Sequence, residues 1–214
     1  MLRIHGRATS SNVQAVMWLV GELGLPNERL DVGGAFGGNQ TAEFLAMNPM
    51  GRVPVIEDED VTLFESQAIL RYLAARHGSE VLWPSDPVVR APVDQWMEWA
   101  KVNLYPSLTY KVFWQLVRTS AAERDHDLLA EGAAELDQLM TIADAQIARH
   151  GWLAGAEMTL ADIAFGTHLF RYFTVPFDRA DLPALRAYYD RLCARPAYAE
   201  HAMVSFEALR VPGA

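Results

Sequence analysis

The chain has 214 residues, 51% of them hydrophobic and 21% charged, with a net charge of -9. That length allows one large domain or two smaller ones, and the composition is that of an ordinary globular protein. The acidic balance excludes the broad basic face that nucleic-acid binding needs. A single cysteine, Cys193, excludes an intrachain disulfide and any Cys-x-x-Cys redox or zinc motif. It is expected to be a buried, inert thiol on a late helix. The six histidines include no pair at metal-ligand spacing on one helix face, so no metal is expected. No stretch reaches the length of a membrane span, and no basic segment followed by an apolar run opens the chain. The cytosol is the expected compartment.

Residues 2–6 alternate like a strand. Residues 11–23 follow a helical period, with Val13, Val16, Met17 and Val20 on one face. Thr9, Ser10, Ser11 and Asn12 are all candidate caps for this helix, and Gly24-Leu25-Pro26 stops it. A short second strand is expected over 29–32, then a glycine-rich loop over 33–38 and a short helix over 41–47. Residues 53–57 and 61–64 form two strands around a tight acidic turn and must be antiparallel. A helix over 65–77 closes the unit, with Ile69, Leu70 and Leu73 inward. The order β-α-β-α-β-β-α is a thioredoxin-like arrangement, with a first parallel pair and a final antiparallel hairpin.

Residues 79–87 read as a linker between a first domain, 1–78, and a second, 88–214. The second carries no convincing strand. Helical patterns run over 87–118, 122–150, 159–173, 182–194 and 196–209, and Pro106 should bend or break the first. Thr159-Leu160-Ala161-Asp162 has the spacing of a capping box, with Asp in the place of Glu or Gln, and reads as structural.

Three short pieces could carry chemistry. Val53-Pro54 either holds a cis peptide bond or simply begins an edge strand. A cis bond would turn the Val53 amide and carbonyl outward, ready to pair with an extended peptide. Glu65-Ser66 is an ordinary helix start with an acid, but it also complements an amino-acid head: Glu65 for the ammonium, Ser66 and the helix N-terminus for the carboxylate. Ser10 lies where strand meets helix. One hydroxyl bonded to a charged acceptor is worth about 1.5–3 kcal/mol, and the helix dipole adds about 0.3–1. Lowering a thiol pKa by two units takes about 2.7 kcal/mol, so these two suffice without a side-chain base. Ser10 is equally a helix cap, and Ser11 and Thr9 are rivals for the same task. The glycine loop fits neither phosphate-binding pattern and reads as flexible. Tyr105, Tyr110, Phe113 and Trp114 could wall an apolar pocket or serve as core.

Four stretches in order carry a family resemblance: residues 6–13 (GRATSSNV), 48–55 (NPMGRVPV), 63–69 (LFESQAI), and 152–155 (WLAG) running into 159–162 (TLAD). The chain resembles the cytosolic glutathione transferases over nearly its whole length, most of all the serine-using theta and delta-like branch in a bacterial form. The resemblance implies a thioredoxin-like domain, an all-helical domain and a homodimer. It implies glutathione as co-substrate and a small apolar electrophile or peroxide as its target. It further implies that Ser10 holds the thiolate, that Val53 before a cis Pro54 pairs with the cysteinyl backbone, and that Glu65 and Ser66 hold the γ-glutamyl head. Arg52 matches a basic position near the glycyl carboxylate, and Asn39 stands where relatives often carry histidine. With no cysteine before Cys193 and no tyrosine before Tyr72, the cysteine- and tyrosine-using branches fit less well. The alternatives are a glutathione-binding interaction protein with little catalysis, and a specialised dehalogenase or isomerase.

Overall fold

A computed structural model describes all 214 residues. Four strands, β1 (Leu2–His5), β2 (Asn27–Leu30), β3 (Val55–Asp58) and β4 (Val61–Phe64), form one sheet in the order β2-β1-β3-β4. β1 and β2 are parallel, with Leu2 opposite Asn27, while β1 with β3 and β3 with β4 are antiparallel. Helices α1 (Ser11–Glu22), α2 (Ala42–Met47) and α3 (Ser66–His77) complete this half. The second half is helical throughout: α4 (Pro87–Trp99) and its continuation to Arg118, α5 (His126–His150), α6 (Leu160–Gly166), α7 (Leu169–Thr174), α8 (Pro183–Cys193) and α9 (Pro196–His201). This is a thioredoxin-like sheet half followed by an all-α half.

The second strand begins two residues earlier than its composition suggests, because the parallel register to β1 sets Asn27–Leu30 as partners. The pattern over 159–173 is two helices, parted at Thr167-His168, where the Thr167 hydroxyl donates to the Ile163 carbonyl at 2.7 Å.

Pro106 does not break its helix. From Ala100 the chain winds in wider π-type turns, with the Tyr105 N–H donating to the Ala100 carbonyl five residues back. Pro106 has a helical φ of -64°, and the wide turns continue over Ser107–Arg118. A widened turn gives the ring room that an α-turn lacks.

The two halves share one core. Helix α1 is buried nearly all round, because it lies between α3 on one side and α6 and α9 on the other. Trp18 on α1 is fully buried and meets Tyr198 of α9 edge-on at 4.7 Å between ring centres. Its indole N–H donates to Glu22 at 2.8 Å, and Glu22 takes two further bonds from Arg195, at 2.7 and 2.6 Å. These bonds hold the Glu22 carboxyl below its ordinary value of 4.5 against the opposing pull of burial. A depressed carboxylate pKa stabilises the fold above the unfolded-state value, and the contribution is lost as pH falls through the folded one. Glu22→Gln should therefore cost about 1–1.5 kcal/mol at pH 7, the low end for a charged hydrogen-bonded pair since Arg195 is partly exposed. In urea titrations the difference between wild type and variant should hold down to the unfolded-state value and vanish once pH has fallen through the lower folded one. A difference that persists there would assign the effect to packing.

Candidate functional site

A cleft of about 560 Å³ opens where the two halves meet. Three loops, the start of one helix and the side of another build it. The turn from β1 into α1 brings Arg7, Ser10 and Asn12, and the loop after β2 brings Gly33, Gly34 and Asn39. The turn before β3 brings Arg52, Val53 and Pro54. The start of α3 brings Glu65 and Ser66, and the long helix brings Lys101, Tyr105, Tyr110 and Trp114.

Ser10 takes the N-cap position of α1, with an extended backbone, yet its side chain makes no capping bond. Its hydroxyl therefore stays available at the helix N-terminus, where the dipole favours negative charge. Ser11 is 5% exposed and does not line the cleft. Thr9 does not line the cleft, and its carbonyl is held by Arg171 Nη2 at 2.7 Å. Of the three hydroxyls, Ser10 alone faces the cavity.

The Val53-Pro54 bond is cis. Neither the N–H nor the C=O of Val53 has a partner in the chain. β3 begins only at Val55, one residue after the proline that lacks a donor. The preceding turn is braced from within: Asn48 Nδ2 donates to the Arg52 carbonyl at 2.7 Å, and Asn48 Oδ1 accepts from the Met50 N–H at 3.0 Å. Asn39 Nδ2 donates to the Gly51 carbonyl at 2.7 Å, so in this structure Asn39 steadies the turn that presents Arg52. Gly51 suits this turn, since its φ is 60° and a Cβ would sit 3.0 Å from the Asn39 carbonyl.

Glu65 has a φ of 68°, a region that costs a non-glycine residue about 1–3 kcal/mol. It is exposed to the cleft, and the N–H groups of Ser66, Gln67 and Ala68 behind it have no backbone acceptor. The Ser66 hydroxyl donates to Asn12 Oδ1 at 3.2 Å, and Lys101 Nζ donates to the same oxygen at 3.0 Å. Asn12 thus ties α1, α3 and the helical half together at the cavity floor. Burial lowers the Lys101 pKa, opposed by Glu65 and Glu98.

The aromatic wall differs from its sequence reading in one member. Tyr105, Tyr110 and Trp114 line the cleft, with ring centres 5.5 and 4.8 Å apart in sequence order. Phe113 does not. It is 1% exposed and packs on Phe206 at 5.2 Å, with Arg171 over its ring at 4.3 Å. The helix winding is the reason. Lys101, Tyr105, Tyr110 and Trp114 are spaced by 4, 5 and 4 residues. At about 3.6 residues per turn, Lys101 and Tyr110 would lie on opposite faces. At roughly 4.4, the value for i to i−5 bonding, all four align and Phe113 turns inward. Arg7, Asn12, Asn48 and Lys101 are polar cleft residues that the sequence pattern does not single out. Arg7 and Asn12 lie inside the stretch 6–13, where an arginine and an asparagine at a strand-to-helix turn were the available signal.

Burial, and then Arg171 and Lys101, push the His168 pKa down to about 3, so this ring is neutral near pH 7 and supplies no proton there. Burial raises the Tyr105 phenol to about 12, and it stays protonated as well. Neither His168 nor Tyr105 can therefore act as a base near pH 7. No group of three or more His, Cys, Asp or Glu side chains could hold a metal ion, and no helix is long and apolar enough to cross a membrane. Cys193 is half-buried on α8, far in sequence from the cleft residues, and burial raises its pKa.

Residues 3–75 match the family model of the glutathione S-transferase N-terminal domain, and residues 126–191 match that of the C-terminal domain. The chain belongs to the glutathione S-transferase family. It is 38% identical over 206 residues to the glutathione S-transferase GstB of Escherichia coli, covering 95% of this chain and 99% of that one. It is 33% identical over 205 residues to glutathione S-transferase 3 of Zea mays, covering 92% and 91%. The theta class glutathione S-transferase of Xanthomonas axonopodis pv. citri, solved with glutathione bound, superposes with a TM-score of 0.90 at 40% identity, over 95% of this chain and 98% of that one. The protein is thus a glutathione-dependent transferase, with glutathione as its co-substrate.

Proposed function

We propose that glutathione lies extended across the cleft floor, with its sulfur at Ser10. The γ-glutamyl head meets Glu65 through its ammonium, and the free N–H groups of α3 with Ser66 through its carboxylate. The cysteinyl backbone adds to the unpaired N–H and C=O of Val53, as an extra strand does. Arg52 meets the glycyl carboxylate, and Asn39 and Asn48 brace the turn that carries it. The Ser10 hydroxyl donates to the sulfur and holds it as thiolate, which attacks an electrophilic carbon or a peroxide oxygen. One observation carries this reading: an unpaired backbone edge and an uncommitted hydroxyl at a helix start face the same cavity.

Calorimetry of glutathione binding tests it. Glu65→Ala should weaken affinity at least tenfold, about 1.4 kcal/mol, with the fold intact. Unchanged affinity would remove the head group from this end of the cleft.

A homodimer and a cytoplasmic setting belong to the same proposal. The family resemblance supports the first, together with the exposed Val88, Val89 and Val102 on the outer side of the long helix. The need for a pool of reduced glutathione supports the second. A monomer mass by light scattering at micromolar concentration would overturn the dimer.

A further inference from the structure

The cleft carries more cationic groups than glutathione needs. Arg7 lines it beside the tyrosine and tryptophan wall. Its Nε is buried and has no hydrogen-bond partner, and its guanidinium joins none of the ion pairs that arginines form in this chain. The charged or titratable groups that act on Arg7 are Arg118 and the Tyr105 phenol. Those that act on its buried neighbour Arg171 are Tyr105, Arg7 and Arg118. No carboxylate is among them. Arg171 is already committed, to the Thr9 carbonyl and the Phe113 ring. Arg118 is exposed, lies over Trp114 at 5.1 Å and does not line the cleft. Arg7 is therefore the arginine with free donors that lines this end of the cleft. A half-buried charge without a partner has lost part of its hydration, and a bound anion would offset that loss.

The glycine loop after β2 explains how Arg7 is held. Gly33 and Gly34 have φ of 83° and 63°. A Cβ at Gly34 would stand 3.0 Å from Arg7 Cδ and Nε, and one at Gly33 would stand 3.7 Å from Nη1. Glycines at these positions let the guanidinium lie along the loop and face the cavity. A flexible connector would need only freedom, whereas this loop is closed by the Gly33 N–H donating to the Gly37 carbonyl at 2.7 Å.

We propose that Arg7, seated on the Gly33-Gly34 loop, selects a second substrate that carries a carboxylate on an aromatic electrophile. The planar guanidinium suits bidentate binding of a carboxylate, and Tyr105, Tyr110 and Trp114 offer edges and faces to a flat ring. This preference replaces the small apolar electrophile that the family resemblance implies. The proposal rests on the placement of the glutathione sulfur at Ser10, next to which the reacting carbon must lie. With an aryl chloride, the thiolate forms a C–S bond at the ring carbon, the C–Cl bond breaks, and chloride leaves with the electron pair. The thiol proton has already gone to solvent.

A matched pair of electrophiles tests it: 4-chloro-3,5-dinitrobenzoate and 4-chloro-3,5-dinitrobenzamide, which differ in charge and share the reacting carbon and leaving group. With saturating glutathione, and after division by each compound's uncatalysed rate, kcat/KM for the benzoate should exceed that for the amide at least tenfold. In Arg7→Gln this preference should fall at least tenfold, mainly through KM for the benzoate, and Arg7→Lys should recover part of it. Calorimetric glutathione binding by Arg7→Gln should stay within threefold of wild type, which also reports that the cleft is folded. A wild type that favours the amide, or a preference unchanged in Arg7→Gln, overturns the proposal alone. Glutathione affinity that drops tenfold in Arg7→Gln also overturns it, by making Arg7 a glutathione ligand. A wild type that binds glutathione and turns over neither compound overturns it together with the placement of the sulfur.

Discussion

Ser10→Ala is expected to raise the pKa of the bound glutathione thiol by one to two units, on the order of 1.4–2.7 kcal/mol. The hydroxyl stands free at the N-cap of α1, and the N–H groups of Ser11, Asn12 and Val13 behind it have no backbone acceptor. A free thiol near pKa 8.5 is only about 3% ionised at pH 7, while one lowered by two units is about 75% ionised. The more acidic thiolate is also a weaker nucleophile, by about six- to tenfold for two units. The two effects partly cancel, so ionisation alone should cost the variant about threefold in kcat/KM at pH 7 and about tenfold at pH 6. Above about pH 8 the variant should be no slower than wild type, because both thiols are then largely ionised or the gain in nucleophilicity compensates. Ultraviolet titration of the bound thiolate reads the pKa directly. Glutathione affinity should change little, since head and backbone contacts remain. Ser11→Ala and Thr9→Ala should shift the thiol far less. A large shift in Ser11→Ala with none in Ser10→Ala would place the sulfur one residue along the turn.

The largest expected effect on stability lies at Asp162. Its carboxylate is fully buried and accepts from the Leu153 N–H at 2.9 Å, the Thr159 N–H at 2.8 Å, the Thr159 hydroxyl at 3.2 Å and the Tyr188 hydroxyl at 2.9 Å. It closes a reciprocal capping box with Thr159 at the start of α6. Burial raises its pKa, and the four donors oppose that rise. Asp162→Ala leaves at least three buried donors without an acceptor, at about 1–3 kcal/mol each before water enters the space. A net loss of about 3–5 kcal/mol follows, a large share of a typical folding free energy of about 5–15. For a chain of this size that lowers Tm by about 8–15 °C. Calorimetry should show it, and near-ultraviolet circular dichroism at 20 °C should remain native. Unchanged Tm with lost turnover would move Asp162 from the fold to the chemistry.

How much the sequence tells depends on how far apart the cooperating residues stand. Ser10 at a strand-to-helix turn, Glu65 at a helix start and Asp162 three residues after Thr159 are local features, set by capping and by the backbone groups that a helix end leaves unpaired. They were legible because each sits at a helix end, which the neighbouring residues mark. The alternation of β1 and the period of α1 are likewise local. So was the order β-α-β-α-β-β-α, since a short link forces antiparallel strands and a helical crossover permits a parallel pair. Whether Val53-Pro54 is cis was left open by its sequence, because both isomers are accessible to proline.

Other features depend on distant parts of the chain. Asn12 meets Ser66 and Lys101 across separations of 54 and 89 residues, and Arg171 reaches the Thr9 carbonyl across 162. No periodicity encodes such pairs. The long helix is the clearest case. Its sequence alone determined that an aromatic, helical segment exists, and a period of about 3.6 groups Phe113 with the tyrosines. The tertiary structure decided the winding around Pro106, and with it that Lys101 faces the cleft while Phe113 enters the core. The physical reason is that a helix takes its register from what packs on both sides. Here Arg171 and Phe206 receive Phe113, and Asn12 receives Lys101.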